Sequence, residues 1–432
     1  MTDHRKNPYV WIPALFSAEA IPMAVVTFVA VLMFIQTDTP KSYSTFFSAS
    51  LLIPWAIKPF FRQMVQRSGQ TASFVRLVEA LIFTSLLGLA FYMNRMVANP
   101  LAMFSILFLV SSFCAWHNLL SEIYYRKRLM KKERLFFWPL RTTSYQVCTV
   151  ITYGLFIILV GGLEVFFKNL PNRYNVSWSM GTYILAGAYF IIMVLNFTLL
   201  TNTYSTSTGI SLTGTTLSEA KHIKSMTRAK RFPLIVLALI LLVLPQSLMF
   251  FVRVFFLYMP LRNGGLGCSM QEIGFAQGTI GVMAFSFGII LGRQLQMKHF
   301  GQSILWAQVI TFTLSPLFYL IMTLHHPGGI PELCVMTFLS QICFGFGFNC
   351  CMPLVKQLSH DRYKMATNYL QIPVLVAVMI PPLALSGWLV SRLGFHDFFI
   401  IDCLTAPIAW IFILATGTIT WCCKKEANHQ FP

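Results

Sequence analysis

Twelve stretches of about twenty predominantly apolar residues follow one another along this chain, separated by short polar connections. A bilayer's hydrocarbon core is crossed by ~20 helical residues. In lipid every backbone polar group must be satisfied within the chain, which leaves the helix as the form such runs adopt. The windows fall at 10–34, 44–65, 74–93, 101–121, 138–165, 179–200, 233–259, 272–292, 303–323, 333–353, 367–390 and 398–421. They predict an all-α, multi-pass membrane protein. Of 432 residues, 56% are hydrophobic and only 11% charged, where a soluble domain carries about 25% charged residues. That leaves too little polar surface to coat a globule of this length in water.

Only one connection is both long and polar. It runs from Thr201 to Arg231 and divides the windows six and six. The expected organisation is an N-terminal six-helix bundle (1–200), a cytoplasmic linker (201–231) and a C-terminal six-helix bundle with a short tail (232–432). If both termini are cytoplasmic, 22 lysines and arginines fall on inner segments, among them Arg62, Arg67, Arg126 to Arg134 and Lys221 to Arg231. Six fall on outer ones: Lys41, Arg95, Lys168, Arg173, Arg262 and Arg392. Such a bias is what the positive-inside rule predicts. A miscounted helix would scramble the alternation downstream of it, so the charges support the count independently of hydropathy.

The net charge of +18 is therefore topological, and no nucleic-acid partner is expected. The densest basic run, Arg126 to Arg134, meets anionic lipid headgroups or is a solvated topogenic loop. The ten cysteines lie mostly inside apolar runs, with no C-x-x-C and no zinc spacing. They read as small buried hydrophobes, and neither metal nor cofactor is expected. Ala18-Glu19-Ala20 fits a small-x-small cleavage pattern, but the apolar run resumes to Phe34, which makes the first segment a retained span.

The two halves echo one another. After the second window stand Arg62-Gln63-Met64 and Arg67-Ser68-Gly69-Gln70. After the eighth stand Arg293-Gln294-Leu295 and His299-Phe300-Gly301-Gln302. Basic, glycine-containing turns at matching places in two six-helix halves are the mark of a repeated transporter architecture. With the six-plus-six topology they point to the major facilitator fold, with N and C termini cytoplasmic.

Short segments also resemble AmpG-type muropeptide permeases, in the peptide/acetyl-coenzyme A transporter branch of the major facilitator superfamily. They are Val10-Trp11-Ile12-Pro13 leading to Ala18-Glu19-Ala20-Ile21-Pro22, Ile53-Pro54-Trp55-Ala56-Ile57-Lys58-Pro59, and Leu140-Arg141-Thr142-Thr143-Ser144-Tyr145. In the second half they are Asn263-Gly264-Gly265-Leu266-Gly267 with Gln277-Gly278-Thr279-Ile280-Gly281-Val282, Phe344-Gly345-Phe346-Gly347-Phe348, and Met379-Ile380-Pro381. The chain departs from that pattern at charged positions. The family's fourth span carries a His-Asp pair and a second acid, where this chain has His117-Asn118 and Glu122. Its fifth-span second arginine is replaced at Gln146. In the seventh span Val243, Gln246 and Phe251 stand where relatives carry charge, and Arg253 is new. The resemblance implies import of cell-wall fragments, amino-sugar disaccharides with peptide stems, across a bacterial inner membrane by a monomeric carrier. Relatives in the branch extend this to siderophores or coenzyme A esters.

Charge near the bilayer centre is costly, so a deep ionisable group is a functional candidate. At 1.5 Å per residue Glu19 lies about 15 Å into its span, with Pro22 a turn later. It is the candidate proton carrier, the alternative being a structural bond to a facing helix. His117 and Glu122, near the inner end of the fourth span, form either a proton relay or an interfacial pair. Lys58 either snorkels to the headgroups or pairs with a substrate carboxylate or Glu19. Arg141 is topogenic or, by the family match, substrate-facing. Trp55 and Tyr145 are placed to stack on a sugar ring. Gln146, Gln246, Gln277, Asn349 and Asn368 either hydrogen-bond the solute or tie helices together. Arg76 and Glu79, three apart, read as a shallow structural pair. Arg253, Glu164 and Asp402 read as interfacial. Gly345 and Gly347 permit close helix approach, and Pro381-Pro382 is a helix break.

The expected activity is proton-coupled secondary transport of a small amphiphilic solute, with uncoupled diffusion through the same fold, or another solute such as a sugar, as alternatives. A membrane-embedded enzyme is disfavoured. There is no H-E-x-x-H, G-x-S-x-G or glycine-rich phosphate loop, and Cys114 with His117 is a nucleophile–base pair without a third, orienting group. A nutrient sensor with a transporter-like fold is a further alternative, which a large soluble signalling domain would favour; none is expected here.

Overall fold

Helical backbone runs through every predicted window. The computed structural model describes residues 7–66, 70–95, 99–201, 232–299, 301–357 and 364–423, without the side chains of 60–66, 357 and 364–371. Most of the predicted linker and Arg67, and the side chains of Arg62 and Asn368, lie outside that description. The helices are α1 (Pro8–Gln36), α2 (Lys41–Ser50), α3 (Ile53–Gln66), α4 (Thr71–Met93), α5 (Pro100–Arg128), α6 (Lys131–Phe136), α7 (Trp138–Phe166) and α8 (Arg173–Leu199). After the linker come α9 (Phe232–Tyr258), α10 (Met270–Lys298), α11 (Gln302–Leu324), α12 (Ile330–Phe348), α13 (Cys351–Gln357) and α14 (Lys364–Ala415).

Ten stretches of the described residues are long and apolar enough to cross a membrane. The second window is not among them, because it is two shorter helices, α2 and α3. Pro54 has no N–H to offer the Ser50 carbonyl, so the helix breaks just before it and restarts at Ile53. The eleventh and twelfth windows run together in α14, which turns at Gly394 (φ 79°, ψ 174°). Only glycine occupies that backbone region cheaply. The break expected at Pro381-Pro382 does not occur there: both prolines sit inside helical backbone, and the turn comes at Gly394 instead. A proline's fixed φ suits a helix, and in a membrane bundle its missing hydrogen bond is tolerated.

The chain separates into two compact units. The first comprises Met1–Thr39 and Ser50–Leu212, the second Pro40–Ala49 and Thr213–Pro432. In the first, α1 is the central helix, with 89% of its most apolar window buried. One turn after Pro22 it widens into a π turn at Val25–Val29, matched in α7 by another at Ile151–Leu155. The two wide turns meet: Phe28 stacks on Tyr153 with ring centroids 4.5 Å apart, and the Tyr153 hydroxyl bonds Thr27. Wide turns of this kind recur at functional sites.

The second unit is built on close backbone approach. A Cβ on Gly345 of α12 would lie 2.1 Å from the Phe285 carbonyl oxygen of α10, and one on Gly288 would lie 2.5 Å from that of Ile342. Gly347 meets α11 in the same way, its Cβ position 2.5 Å from the Phe312 nitrogen. Around this contact Phe285, Phe312, Phe344 and Phe348 pack ring against ring. Lipid supplies no hydrophobic drive between helices, so small residues that admit close packing carry the association. Helix α2 belongs to this unit. It seats on α14 at Gly387, whose N–H donates to Thr45 Oγ1 over 3.1 Å.

Candidate functional site

Prolines and helix ends leave backbone carbonyls without partners, and in lipid these must be met from neighbouring helices. Many of the span's polar side chains are used this way. Ser111 of α5 donates to the Leu51 carbonyl at the α2–α3 break. Arg76 of α4 donates to the Leu200 carbonyl at the end of α8 and stacks on Phe197. The expected Arg76–Glu79 pair is therefore absent, since Arg76 turns to the α8 terminus and Glu79 points inward. In α11, Pro316 removes the N–H that would bond the Phe312 carbonyl, and Gln246 Nε2 reaches across from α9 to supply it.

The other second-half amides are engaged in the same manner. Gln277 donates to the Tyr319 hydroxyl. Asn349 Nδ2 donates to the carbonyls of Ile289, at 3.2 Å, and of Phe346 and Gly345. We expect Gln246→Leu to lower stability by roughly 1–3 kcal/mol, the cost of an unmet buried carbonyl, without weakening solute binding. Thermal unfolding in detergent and solute competition check the two halves of that expectation. A large affinity loss at unchanged stability would make Gln246 a solute ligand.

The ionisable groups gather in the first unit, and α5 arranges them. Cys114, Asn118 and Glu122 recur at i, i+4 and i+8 and share one face of the helix, while His117 and Ser121 share the adjacent one. On the first face Asn118 is a bridge. Its Nδ2 donates to Glu19 Oε1 of α1, and its Oδ1 accepts from Lys58 Nζ of α3. Lys58 and Glu19, expected as a possible pair, are thus joined through an amide. Glu19 is 4% exposed and its Oε2 has no partner. Cys114 Sγ rests 3.8 Å from the Glu19 carbonyl oxygen. The Lys58 ammonium also lies 5.2 Å from the Trp55 ring centroid, a cation–π contact, and the buried Trp55 Nε1 has no partner. Tyr145 of α7 stands within electrostatic reach of Glu19 and Arg141, and Gln146 beside it is half-buried.

One helical turn further, Glu122 holds two arginines. Arg126 Nε lies 2.6 Å from its Oε1, and Arg141 Nη1 of α7 lies 2.7 Å from its Oε2. The Arg141 guanidinium also stacks over Phe16 at 4.3 Å and Tyr125 at 5.3 Å. This knot closes α1, α5 and α7 together. It is partly exposed, with Glu122 at 21% and Arg141 at 26%, as befits the end of a span.

On the adjacent face of α5, His117 does not pair with Glu122. It is fully buried, and its Nε2 meets Glu79 Oε1 of α4 at 3.0 Å. Five residues from His117 to Glu122 turn the helix far enough to separate the two side chains. Glu79 Oε1 also accepts from Asn196 Nδ2 of α8 at 2.7 Å. Asp402 of α14 is fully buried within the protein with neither carboxyl oxygen bonded, and Arg253 of α9 is only 6% exposed. Glu164 is half-buried near the end of α7, where Gln36 Nε2 donates to its Oε1 over 2.8 Å. Among the described residues no cluster of His, Cys, Asp and Glu could hold a metal ion.

Asn118, Glu79 and Asn196 are central to this arrangement, and the sequence alone gives them little prominence. The signal that points to Asn118 is its i, i+4 spacing from Cys114 and Glu122. Glu79 and Asn196 are met only when the helices are packed.

No family model matches the chain, and no curated protein matches it by sequence. Solved structures do match. A bacterial homologue of the human lysosomal transporter Spinster, in an inward-facing, unoccupied conformation, superposes with a TM-score of 0.73 at 13% identity, over 98% of this chain and 99% of that one. The nucleoside transporter NupG gives 0.70 at 14% identity, over 96% and 99%. The xylose transporter XylE from E. coli gives 0.60 at 13% identity, over 94% and 95%. At these identities the likeness carries the fold: the chain has the major facilitator fold.

Proposed function

We propose that this protein is a proton-coupled secondary transporter importing an amphiphilic solute of the muropeptide type, with Glu19 as its proton-accepting group. The observation that carries this is the Glu19–Asn118–Lys58 bridge. An acid and a base on different helices meet through one amide, in a fold whose solved neighbours include a nucleoside transporter and a xylose transporter. Buried charge in a span is costly and marks substrate and ion pathways. The bridge also leaves complementary groups unspent. Glu19 Oε2 and Trp55 Nε1 have no partner, and an ammonium with three donors gives one to Asn118. An acceptor, an indole N–H and a cation together suit a solute with sugar hydroxyls, amides and a carboxylate.

Coupling follows from the electrostatics of the bridge. With Glu19 ionised, the negative charge is balanced through Asn118 by Lys58. When Glu19 takes a proton, Lys58 loses that balance and is released to pair with an anionic group on the solute. Proton and solute then favour one another's binding, which is the reciprocity a symporter needs. Arg141 and Tyr145 flank the same region from α7, and the aromatic faces of Trp55 and Tyr145 are suited to a sugar ring.

The deciding experiment is uptake of radiolabelled anhydromuropeptide into proteoliposomes, with and without an inward proton gradient. Accumulation above the external concentration only with the gradient is the expected result. Equal, non-accumulating entry in both conditions would make the protein an uncoupled facilitator. No entry by well-folded protein would retain the fold and discard the solute class, turning the search to siderophores and coenzyme A esters.

A further inference from the structure

The Glu79–His117 pair lies outside the bridge just described, on the adjacent face of α5. The hydrogen bonds around it determine how many protons it carries. Ser121 Oγ lies 2.8 Å from the His117 backbone carbonyl oxygen, which can only accept, so the hydroxyl hydrogen is committed there. The same oxygen lies 3.2 Å from His117 Nδ1, and with its hydrogen committed it can only accept from that nitrogen. Nδ1 therefore carries a proton. A neutral imidazole has one N–H, so Nε2 would be a bare acceptor. It faces Glu79 Oε1 at 3.0 Å, and a carboxylate oxygen is an acceptor too. Two lone pairs do not approach to hydrogen-bond distance without a hydrogen between them. The contact needs one proton beyond a neutral imidazole and a carboxylate.

We propose that Glu79 and His117 together form a proton-binding site, distinct from Glu19, that holds this additional proton between Nε2 and Oε1. The surroundings suit a single small ligand. Glu79, His117, Ser121, Asn196 and Tyr189 are all fully buried. Three polar atoms around the pair are unmet, namely Glu79 Oε2, Asn196 Oδ1 and the Tyr189 hydroxyl. Buried polar atoms without partners are rare enough that each calls for an account; here they mark a site whose hydrogen bonding changes with its proton count. The charged and titratable groups facing it are Arg76 of α4, Tyr189 of α8 and Cys114 of α5. Arg76 is engaged at the Leu200 carbonyl and does not ion-pair with Glu79. Asn196 Nδ2 also lies 3.2 Å from the Ala14 carbonyl oxygen, so the network joins α1, α4, α5 and α8.

Placement gives the site a role. His117 and Asn118 are neighbours on α5, the first turned to Glu79 and the second to Glu19. Any rotation of α5 that loosens one contact alters the other, so the two acids exchange protons in step with one helix movement. This part of the inference rests on the transport reading above; the proton count does not.

Nitrogen-15 magnetic resonance of histidine-labelled protein in lipid nanodiscs reads the count directly, needing no solute. His117→Gln identifies the signal. If that variant does not fold, Ser121→Ala identifies it through the loss of the Nδ1 partner. The expected result is a His117 whose Nδ1 bears hydrogen and whose Nε2 shares a second one with Glu79. A bare Nδ1 with hydrogen on Nε2 would overturn the proposal. A second measurement tests the role. Glu79→Gln should flatten the pH dependence of anhydromuropeptide exchange while leaving the melting temperature near that of the parent. A melting loss with an unmoved pH profile would reduce the pair to a structural contact. If the parent protein moves no anhydromuropeptide, the transport reading fails and the resonance result still stands or falls alone.

Discussion

Replacing Glu19 by glutamine is expected to abolish gradient-driven accumulation and to leave solute exchange across the membrane intact. Glutamine keeps the length of the side chain and an oxygen that accepts from Asn118 Nδ2, so the contact to α5 survives. What it loses is the ability to take and release a proton. A pH difference of one unit supplies about 1.4 kcal/mol per proton, about a tenfold concentration ratio. In the variant that ratio should fall to one, while exchange of labelled for unlabelled solute, which needs no net proton movement, continues. Uptake and counterflow in the same proteoliposomes separate the two. Accumulation that persists in Glu19→Gln would remove Glu19 from the coupling role.

The second large effect is expected at Gly345. Its Cβ position is 2.1 Å from the Phe285 carbonyl oxygen and 2.9 Å from the carbonyl carbon. These atoms belong to the backbone of a helix and cannot step aside as a side-chain tip would. Overpacking a core typically costs ~1–3 kcal/mol; here alanine has to separate α10 from α12 along their length, and the cost should exceed that range. Gly345→Ala is expected to give little monodisperse protein on size-exclusion chromatography and a much lowered melting temperature. Gly162→Ala and Gly187→Ala are the controls. Neither would meet any atom within 4 Å, and alanine is favoured over glycine in a helix interior by about 1 kcal/mol. Normal folding of Gly345→Ala would show that the two helices have room to part.

The spans were legible in the chain because hydropathy acts locally: twenty apolar residues need a lipid-spanning helix whatever their neighbours. Proline and glycine signals were less reliable. Pro54 interrupts its helix, Pro381-Pro382 does not, and Gly394 turns α14 instead. Whether a proline breaks a span depends on whether another helix supplies the missing donor, as Gln246 does beside Pro316. That is a property of the packed bundle.

The site shows the same division. Position in the chain alone marks Glu19, Lys58 and Arg141 as ionisable groups in or at the edge of spans, because the cost of burying charge follows from depth. Their partners come from other helices. Spacing along α4 pairs Glu79 with Arg76, yet its contacts are His117 of α5 and Asn196 of α8. Proximity in sequence pairs His117 with Glu122, yet the two lie on different faces of α5, and Glu122 binds Arg126 and Arg141. Gln277 and Asn349 have the chemistry of solute ligands and are spent on Tyr319 and on backbone carbonyls. Sequence by itself determined that this chain is a bundle of membrane-spanning helices carrying a few deep charges. Only the tertiary structure decided which charges meet, since a hydrogen bond reaches about 3 Å and helices distant in sequence come that close only by packing.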